Sequence, residues 1–327
     1  MSLYKPAILL ESTRGSLCER EHYGFVLVVD KDGNVLKKVG NSDNREFYLR
    51  SCEKPFQALP LLLSGAYKKL STQHIAVCCA SHTGTISHTQ LVSEILNKFG
   101  LSDSFLKCET HPPLDKDTQN TLIKNGIEPC VLHNNCSGKH AGLLAACVEN
   151  KWDLDNYLDI SHPIQKQILE KIKDYCLIDS ELPVTLDGCM TPVVGMSLAK
   201  MGEGFINLFL ENSVLQQAFL ENPFLIGGMG RLDSHIVKGS NSKLISKVGA
   251  EGLCVVVNID KKQSLIVKVL DADLKARSII TIESLKQLNW LSEEEMNSIE
   301  IGQVNDREVK TNTGKVIGEL KTPFCLV

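Results

Sequence analysis

Ser51-Cys52-Glu53-Lys54 sets a serine and a lysine three residues apart, just after Arg50 and just before apolar positions that recur at helical intervals. Helix positions three apart share a face, so the nitrogen of Lys54 can reach the hydroxyl of Ser51. The start of a helix also offers unpaired N–H groups and the positive end of the macrodipole, which favour an alkoxide or an oxyanion. These are the requirements of a serine nucleophile served by a lysine base. The base has to be uncharged, so its pKa must fall from about 10.4 through burial or a neighbouring cation. The same spacing also suits an ordinary helix cap beside a solvated lysine, and the four residues alone leave both readings open.

Lys247-Val248-Gly249 opens a strand-like segment and resembles the K-[ST]-G element that faces the S-x-x-K site of penicillin-binding proteins and class A β-lactamases, with Val248 replacing the hydroxyl residue. His82, His111, His133 and His162 read as turn or packing histidines, whereas His140 stands inside a polar motif. Gly227-Gly228-Met229-Gly230 lacks the G-K-[ST] that would make it a phosphate loop, and reads as a tight turn. The 12 cysteines are dilute, sit in apolar contexts and show no C-x-x-C pair, which indicates buried thiols rather than a disulfide framework.

The elements that must position these residues follow from periodicity. Ala7–Glu11 and Phe25–Val29 are apolar, and Asp30-Lys31-Asp32-Gly33-Asn34 before Val35-Leu36 is a hairpin signal. Phe56, Leu59, Leu62, Leu63, Ala66 and Tyr67 predict a core helix starting at Ser51, kinked at Pro60. Residues 88–225 carry helical periods, as in 91–99, 139–148 and 164–175. Leu253–Val257 and Leu265–Val269, joined through Asp260–Gln263, predict a second meander. The expected fold is α+β, an antiparallel sheet from N- and C-terminal strands packed with a mainly helical middle. It forms one intertwined domain over 1–327, with a sheet part at about 1–87 and 226–327 and a helical part at about 88–225.

With 43% hydrophobic and 23% charged residues over 327 positions, the chain can bury a large core. A net charge of −4 without basic clusters argues against nucleic acid and anionic lipid as partners. The start Met1–Pro6 lacks the pattern of a secretory signal, and no apolar run could span a bilayer. A cytoplasmic protein with no membrane partner is expected, and a homodimer is expected for its size.

Taken together, the short elements resemble the asparaginase II family, the thermolabile rhizobial type. Glu11-Ser12-Thr13-Arg14-Gly15 is similar to its E-x-T-R-G opening, and Arg50–Gln57 to its R-S-x-x-K-P-F-Q. Cys79–Gly84, Asn134–Gly142, Asp187-Gly188-Cys189, Gly230-Arg231-Leu232-Asp233 and Lys247–Gly252 follow in order. The resemblance implies a serine β-lactamase-like fold and hydrolysis of the L-asparagine side-chain amide to aspartate and ammonia. It implies Ser51 as nucleophile paired with Lys54, and a second pair of Ser81 with Lys268. Two lysines converging on one pocket would repel as cations, which offers a route to a neutral base.

The family pattern also implies a zinc position at Cys136, Lys139 and Cys189, a donor set with room for a fourth ligand. Asparagine carries an α-ammonium and an α-carboxylate; Asp187 can hold the first, and Arg50, His140 or the metal position the second. His82 and Asn135 complete the substrate-binding candidates. Met190 and Thr191 stand where the family has small residues, Glu109 where glycine is common, and Ala272 and Lys275 where glycine and arginine are usual. Two alternatives remain: a glutaminase or β-lactam-processing acylase of the same fold, and a zinc- or ligand-binding relative without turnover.

Overall fold

The computed structural model describes residues 4–43, 45–299 and 306–327, so Met1–Leu3 of the N-terminal reading lies outside the described residues. In chain order the strands are β1 (Ala7–Arg14), β2 (Leu17–Asp30), β3 (Val35–Val39), β4 (Glu46–Tyr48), β5 (Val184–Leu186), β6 (Pro192–Ser197), β7 (Leu244–Val248), β8 (Leu253–Asn258), β9 (Gln263–Val269), β10 (Glu308–Lys310) and β11 (Val316–Lys321). The chain divides into two compact units. One comprises Met1–Cys52, Gly195–Leu210 and Gly230–Val327; the other comprises Glu53–Val194 and Glu211–Met229.

The first unit is built on an antiparallel sheet in the order β10-β11-β1-β2-β9-β8-β7, with β3 also paired to β2. The fold is therefore the α+β arrangement expected, with the sheet drawn from both ends of the sequence. The β2–β3 turn is closed by Asp30, whose carboxylate accepts the N–H groups of Asp32 and Asn34 at 3.0 and 2.9 Å. The second meander pairs Asn258 with Gln263. β8 is buried at every position and β9 at all but its first, because helices cover both faces. Val26, Val28, Leu265 and Val267 join a core with Ala276, Ile279 and Ile280 of the helix Leu274–Gln287. On the other face the helix Leu198–Glu211 approaches Val29, Ser264 and Ile266 at Gly202. Each such side chain taken from water contributes roughly 1.5–3 kcal/mol.

The second unit is helical. The single helix expected from Ser51 onward is a 3-10 turn over Arg50–Glu53, then short helices Lys54–Gln57 and Leu59–Leu63. The break falls at Ala58 because Pro60 has no N–H to offer the carbonyl of Phe56. Residues 53–87 thus lie in the helical unit, and 195–210 in the sheet unit. Composition could not place them, since an apolar helix packs equally well on a sheet or on other helices.

Three histidines close helix starts. The Nδ1 of His74, His88 and His133 accepts the backbone N–H of Ser71, Thr85 and Cys130 at 3.2, 3.3 and 3.1 Å. For His133 the turn role read from its sequence context is of this kind.

The helix Ser137–Asn150 is buried from Ser137 to Cys147 and crosses the helix Thr72–Cys78 at close range. A Cβ on Gly138 would overlap the carbonyl oxygen of Val77, and one on Gly142 would lie 2.8 Å from the Cys78 sulfur. Gly138→Ala must push the two helices apart. We expect it to lower stability by about 2 kcal/mol or more, read from the urea midpoint, whereas a surface change such as Asn150→Ala stays within about 0.5 kcal/mol.

Candidate active site

The close crossing at Gly138 brings the residues just beyond the helix Thr72–Cys78 against those just before Ser137. Lys54, 1% exposed, reaches into that junction. Its amine donates to the carbonyls of Ala80 at 2.6 Å and Asn135 at 3.1 Å, and meets the hydroxyl of Ser81 at 3.0 Å. Three oxygens from two segments thus surround the amine. Ser81 is itself 3% exposed. Within the helical unit, the lysine of the S-x-x-K motif is therefore hydrogen-bonded to Ser81. Ser51 lies in the 3-10 turn of the sheet unit, half-buried, and its hydroxyl has no hydrogen-bond partner among the described residues.

A second polar cluster follows one turn along the helix Ser137–Asn150. The Lys139 amine, 2% exposed, donates to the sulfur of Cys189 at 2.9 Å and to the hydroxyl of Thr191. Thr191 in turn lies 3.0 Å from Cys189 Sγ and 3.5 Å from Nε2 of His140. Cys189 hangs from the β5–β6 hairpin, whose loop Asp187–Thr191 is closed by the Asp187 N–H on the Thr191 carbonyl at 2.9 Å. The hydrogen bond from Cys136 holds the Cys189 thiol far below its usual pKa, helped by Lys139 and His140 and opposed by burial. The same bond, then burial, raises Cys136. Burial acts to lower Lys139, but the sulfurs of Cys189 and Cys136 outweigh it and hold the ammonium above its usual range. Two sulfurs sharing a proton, with an amine against one of them, form a donor set of the kind a soft divalent cation takes. Cys136 and Cys189 thus fit zinc chemically, and Lys139 would join them on giving up the proton it holds as an ammonium.

The other candidates fall as follows. His82 has both ring nitrogens engaged, Nε2 with Ser137 Oγ at 3.0 Å and Nδ1 with the Gly84 N–H at 3.2 Å, and it stacks on His88 at 4.9 Å. Burial pushes its pKa well down, so it is neutral. His140 is also lowered by burial. Asn135 contributes its carbonyl to Lys54, and its side-chain oxygen meets Cys136 Sγ at 3.3 Å. Asp187 is half-buried in the hairpin loop, within electrostatic reach of Lys139. Glu53, inside the S-x-x-K motif, accepts the Val194 N–H at 2.8 Å and the Gln57 amide at 3.0 Å. Burial nevertheless pushes its carboxyl up to about 8.

In the sheet unit the turn between β7 and β8 gathers the remaining candidates. Lys247 is fully buried, 3.8 Å from Asp233 of the G-R-x-D motif, and its carbonyl accepts the thiol of Cys52 at 3.3 Å. A Cβ on Gly249 would lie 2.9 Å from the Leu49 carbonyl, so only glycine lets this turn pack on the segment that carries Ser51. Glu251 binds Arg50 at 3.3 Å and offers its carbonyl to Lys268. Lys268 is 8% exposed, with its amine 5.6 Å above the Phe47 ring. Its pKa is lowered by burial first and by the charges of Arg50 and Arg45, against the opposing pull of Glu251. The route to a neutral amine within this unit is burial plus arginine. Ala272 stands at φ 62° and Met190 at φ 67°, left-handed positions where the family's glycine or small residue is less strained.

Thr191, Tyr157 and Arg45 belong to no motif. Thr191 could be noticed only as a departure from the family pattern. The other two gave no sequence signal, because their roles come from contacts across the fold.

The L-asparaginase II family model matches residues 10–322, and the chain belongs to that family. No curated protein matches it. Among solved structures, a β-lactamase from Mycobacterium bovis is similar at 13% identity and a TM-score of 0.46, over 82% of this chain and 95% of that one. Among the described residues no helix is long and apolar enough to cross a membrane.

If Lys268 works as a neutral amine, activity rises with pH through its ionisation. Arg45→Gln removes a cation that lowers this pKa, so the midpoint of the rising limb should move to higher pH. A pH–rate profile that does not move, or a rate flat from about pH 6 to 10, contradicts that role.

Proposed function

We propose that the protein is an L-asparaginase, hydrolysing the side-chain amide of L-asparagine to L-aspartate and ammonia by serine–lysine nucleophilic catalysis. What carries the reading is the buried Lys54 amine of the S-x-x-K motif, hydrogen-bonded to the Ser81 hydroxyl in a chain that belongs to the L-asparaginase II family. Ser51 is the nucleophile and Lys54, three residues on, takes its proton. The serine oxygen adds to the amide carbon, and donors at the helix start stabilise the oxyanion. Lys54 returns the proton to the departing nitrogen, ammonia leaves, and an aspartyl ester remains on Ser51. Water then attacks the ester, giving up a proton to the amine, which passes it to the Ser51 oxygen as aspartate leaves, so that the hydroxyl and the neutral amine are both restored. Ser81, bonded to Lys54, passes protons to and from that amine, and Lys268 is the second amine of the set.

Arg50, Asn135 and Asp187 bind the substrate, Asp187 being suited to its α-ammonium, while His82 and His140, whose ring nitrogens are engaged within the protein, orient the groups around it. Cys136, Lys139 and Cys189 would hold zinc, which would supply a fixed positive charge for binding and orienting the substrate carboxylate. A cytoplasmic homodimer completes the proposal.

Ammonia release from asparagine and glutamine, and ring opening of nitrocefin read by its colour change, measured on wild type and variants, test it. Asparagine should be the preferred substrate, and Ser51→Ala and Lys54→Ala should each cost at least about a thousandfold in kcat. Wild-type turnover in Ser51→Ala would remove the nucleophile, and release from glutamine alone would make the protein a glutaminase. Elemental analysis should find zinc in the wild type and a loss of it in Cys189→Ser; equal metal content in both would rule out the sulfur site.

A further inference from the structure

Tyr157 is fully buried, and its hydroxyl has two neighbours among the described residues. The backbone N–H of Lys107 donates to it at 3.0 Å, and Nδ1 of His140 lies 2.7 Å away. A backbone N–H can only donate, so the phenolic proton has one acceptor left, Nδ1 of His140. Leaving that proton unpaired in the core would cost roughly 1–3 kcal/mol, enough to fix its direction. Nδ1 is then an acceptor, and a neutral ring carries its own proton on Nε2. That nitrogen faces Thr191 Oγ1 at 3.5 Å.

We propose that Tyr157 is a positioning residue that holds His140 as the Nε2–H tautomer, a hydrogen-bond donor directed at the Thr191 hydroxyl. The surrounding network agrees with this at every atom. Thr191 accepts from Lys139, which leaves its own proton for the sulfur 3.0 Å away. Lys139 also donates to that sulfur, at 2.9 Å. A His140 proton on Nδ1 would instead face an oxygen already receiving the Lys107 N–H and would strand the phenolic proton. The consequence for chemistry rests on the amidohydrolase reading: His140 orients groups by donating and does not serve as a proton acceptor for the substrate. The tautomer itself does not depend on that reading.

The test is long-range 1H–15N correlation on the full-length protein labelled at histidine nitrogens, near neutral pH. His140 is assigned by the signals lost in His140→Gln. We expect Nδ1 at an unprotonated shift and Nε2 at a protonated one. Tyr157→Phe keeps the ring and removes only the phenolic proton, so it should move His140 to the Nδ1–H form or to an averaged pair. A wild-type spectrum with Nδ1 protonated overturns the proposal, as does an Nε2–H tautomer that survives unchanged in Tyr157→Phe. Ammonia release is read on the same wild-type sample. Its absence would sink the amidohydrolase reading, while the spectrum alone decides the tautomer.

Discussion

A buried amine has to find an acceptor for each of its protons, and at Lys54 that requirement organises the helical unit. The carbonyls of Ala80 and Asn135 and the hydroxyl of Ser81 come from segments 26, 81 and 27 residues away along the chain. Leaving such a group without acceptors in the interior costs several kcal/mol, so the segments must be held in register. The register comes from packing. The helix Ser137–Asn150 crosses the helix Thr72–Cys78 with no side chain between them at Gly138. The end of one helix and the start of the other therefore meet where the Lys54 amine arrives.

The same helix start also orders the sulfur cluster. Cys136, Lys139 and His140 follow one another within a single turn, so their side chains leave the helix toward a limited region. The β5–β6 hairpin supplies what the helix lacks, Cys189 and Thr191, and Glu53 ties that hairpin to the S-x-x-K helix through the Val194 N–H at 2.8 Å. The two polar clusters are thus linked through the Glu53 carboxylate, which accepts the hairpin's Val194 N–H. Neutral histidine, ammonium and thiolate can coexist there because each donor is matched with an acceptor, the condition under which polar groups tolerate burial.

In the sheet unit the K-x-G-A-E-G turn works by close approach. Lys247, which by sequence could be an edge-strand charge, is buried against Asp233, and its carbonyl is spent on Cys52. Gly249 lets that turn reach the backbone of Leu49, and Glu251 holds Arg50. The segment bearing Ser51 is fixed by its neighbours on both sides, while its own hydroxyl has no hydrogen-bond partner among the described residues. That arrangement suits the part of nucleophile proposed for it.

The sequence by itself determined the element types, the antiparallel sheet from both chain ends, the two hairpin turns and the family. Alternation, helical period and turn chemistry are local, and Arg50–Gln57 and Asn134–Gly142 are dense motifs. It also named the lysines, serines and cysteines of the candidate site. Only the tertiary structure decided that Lys54 bonds Ser81, that Arg45 and Arg50 face Lys268, and that Tyr157 and Thr191 belong to the cluster around His140. It also decided that residues 53–87 pack with helices rather than with the sheet. The reason is physical: periodicity records which face of an element is buried, but not what it is buried against. Hydrogen-bond partners far apart in the chain leave no mark on the residues between them.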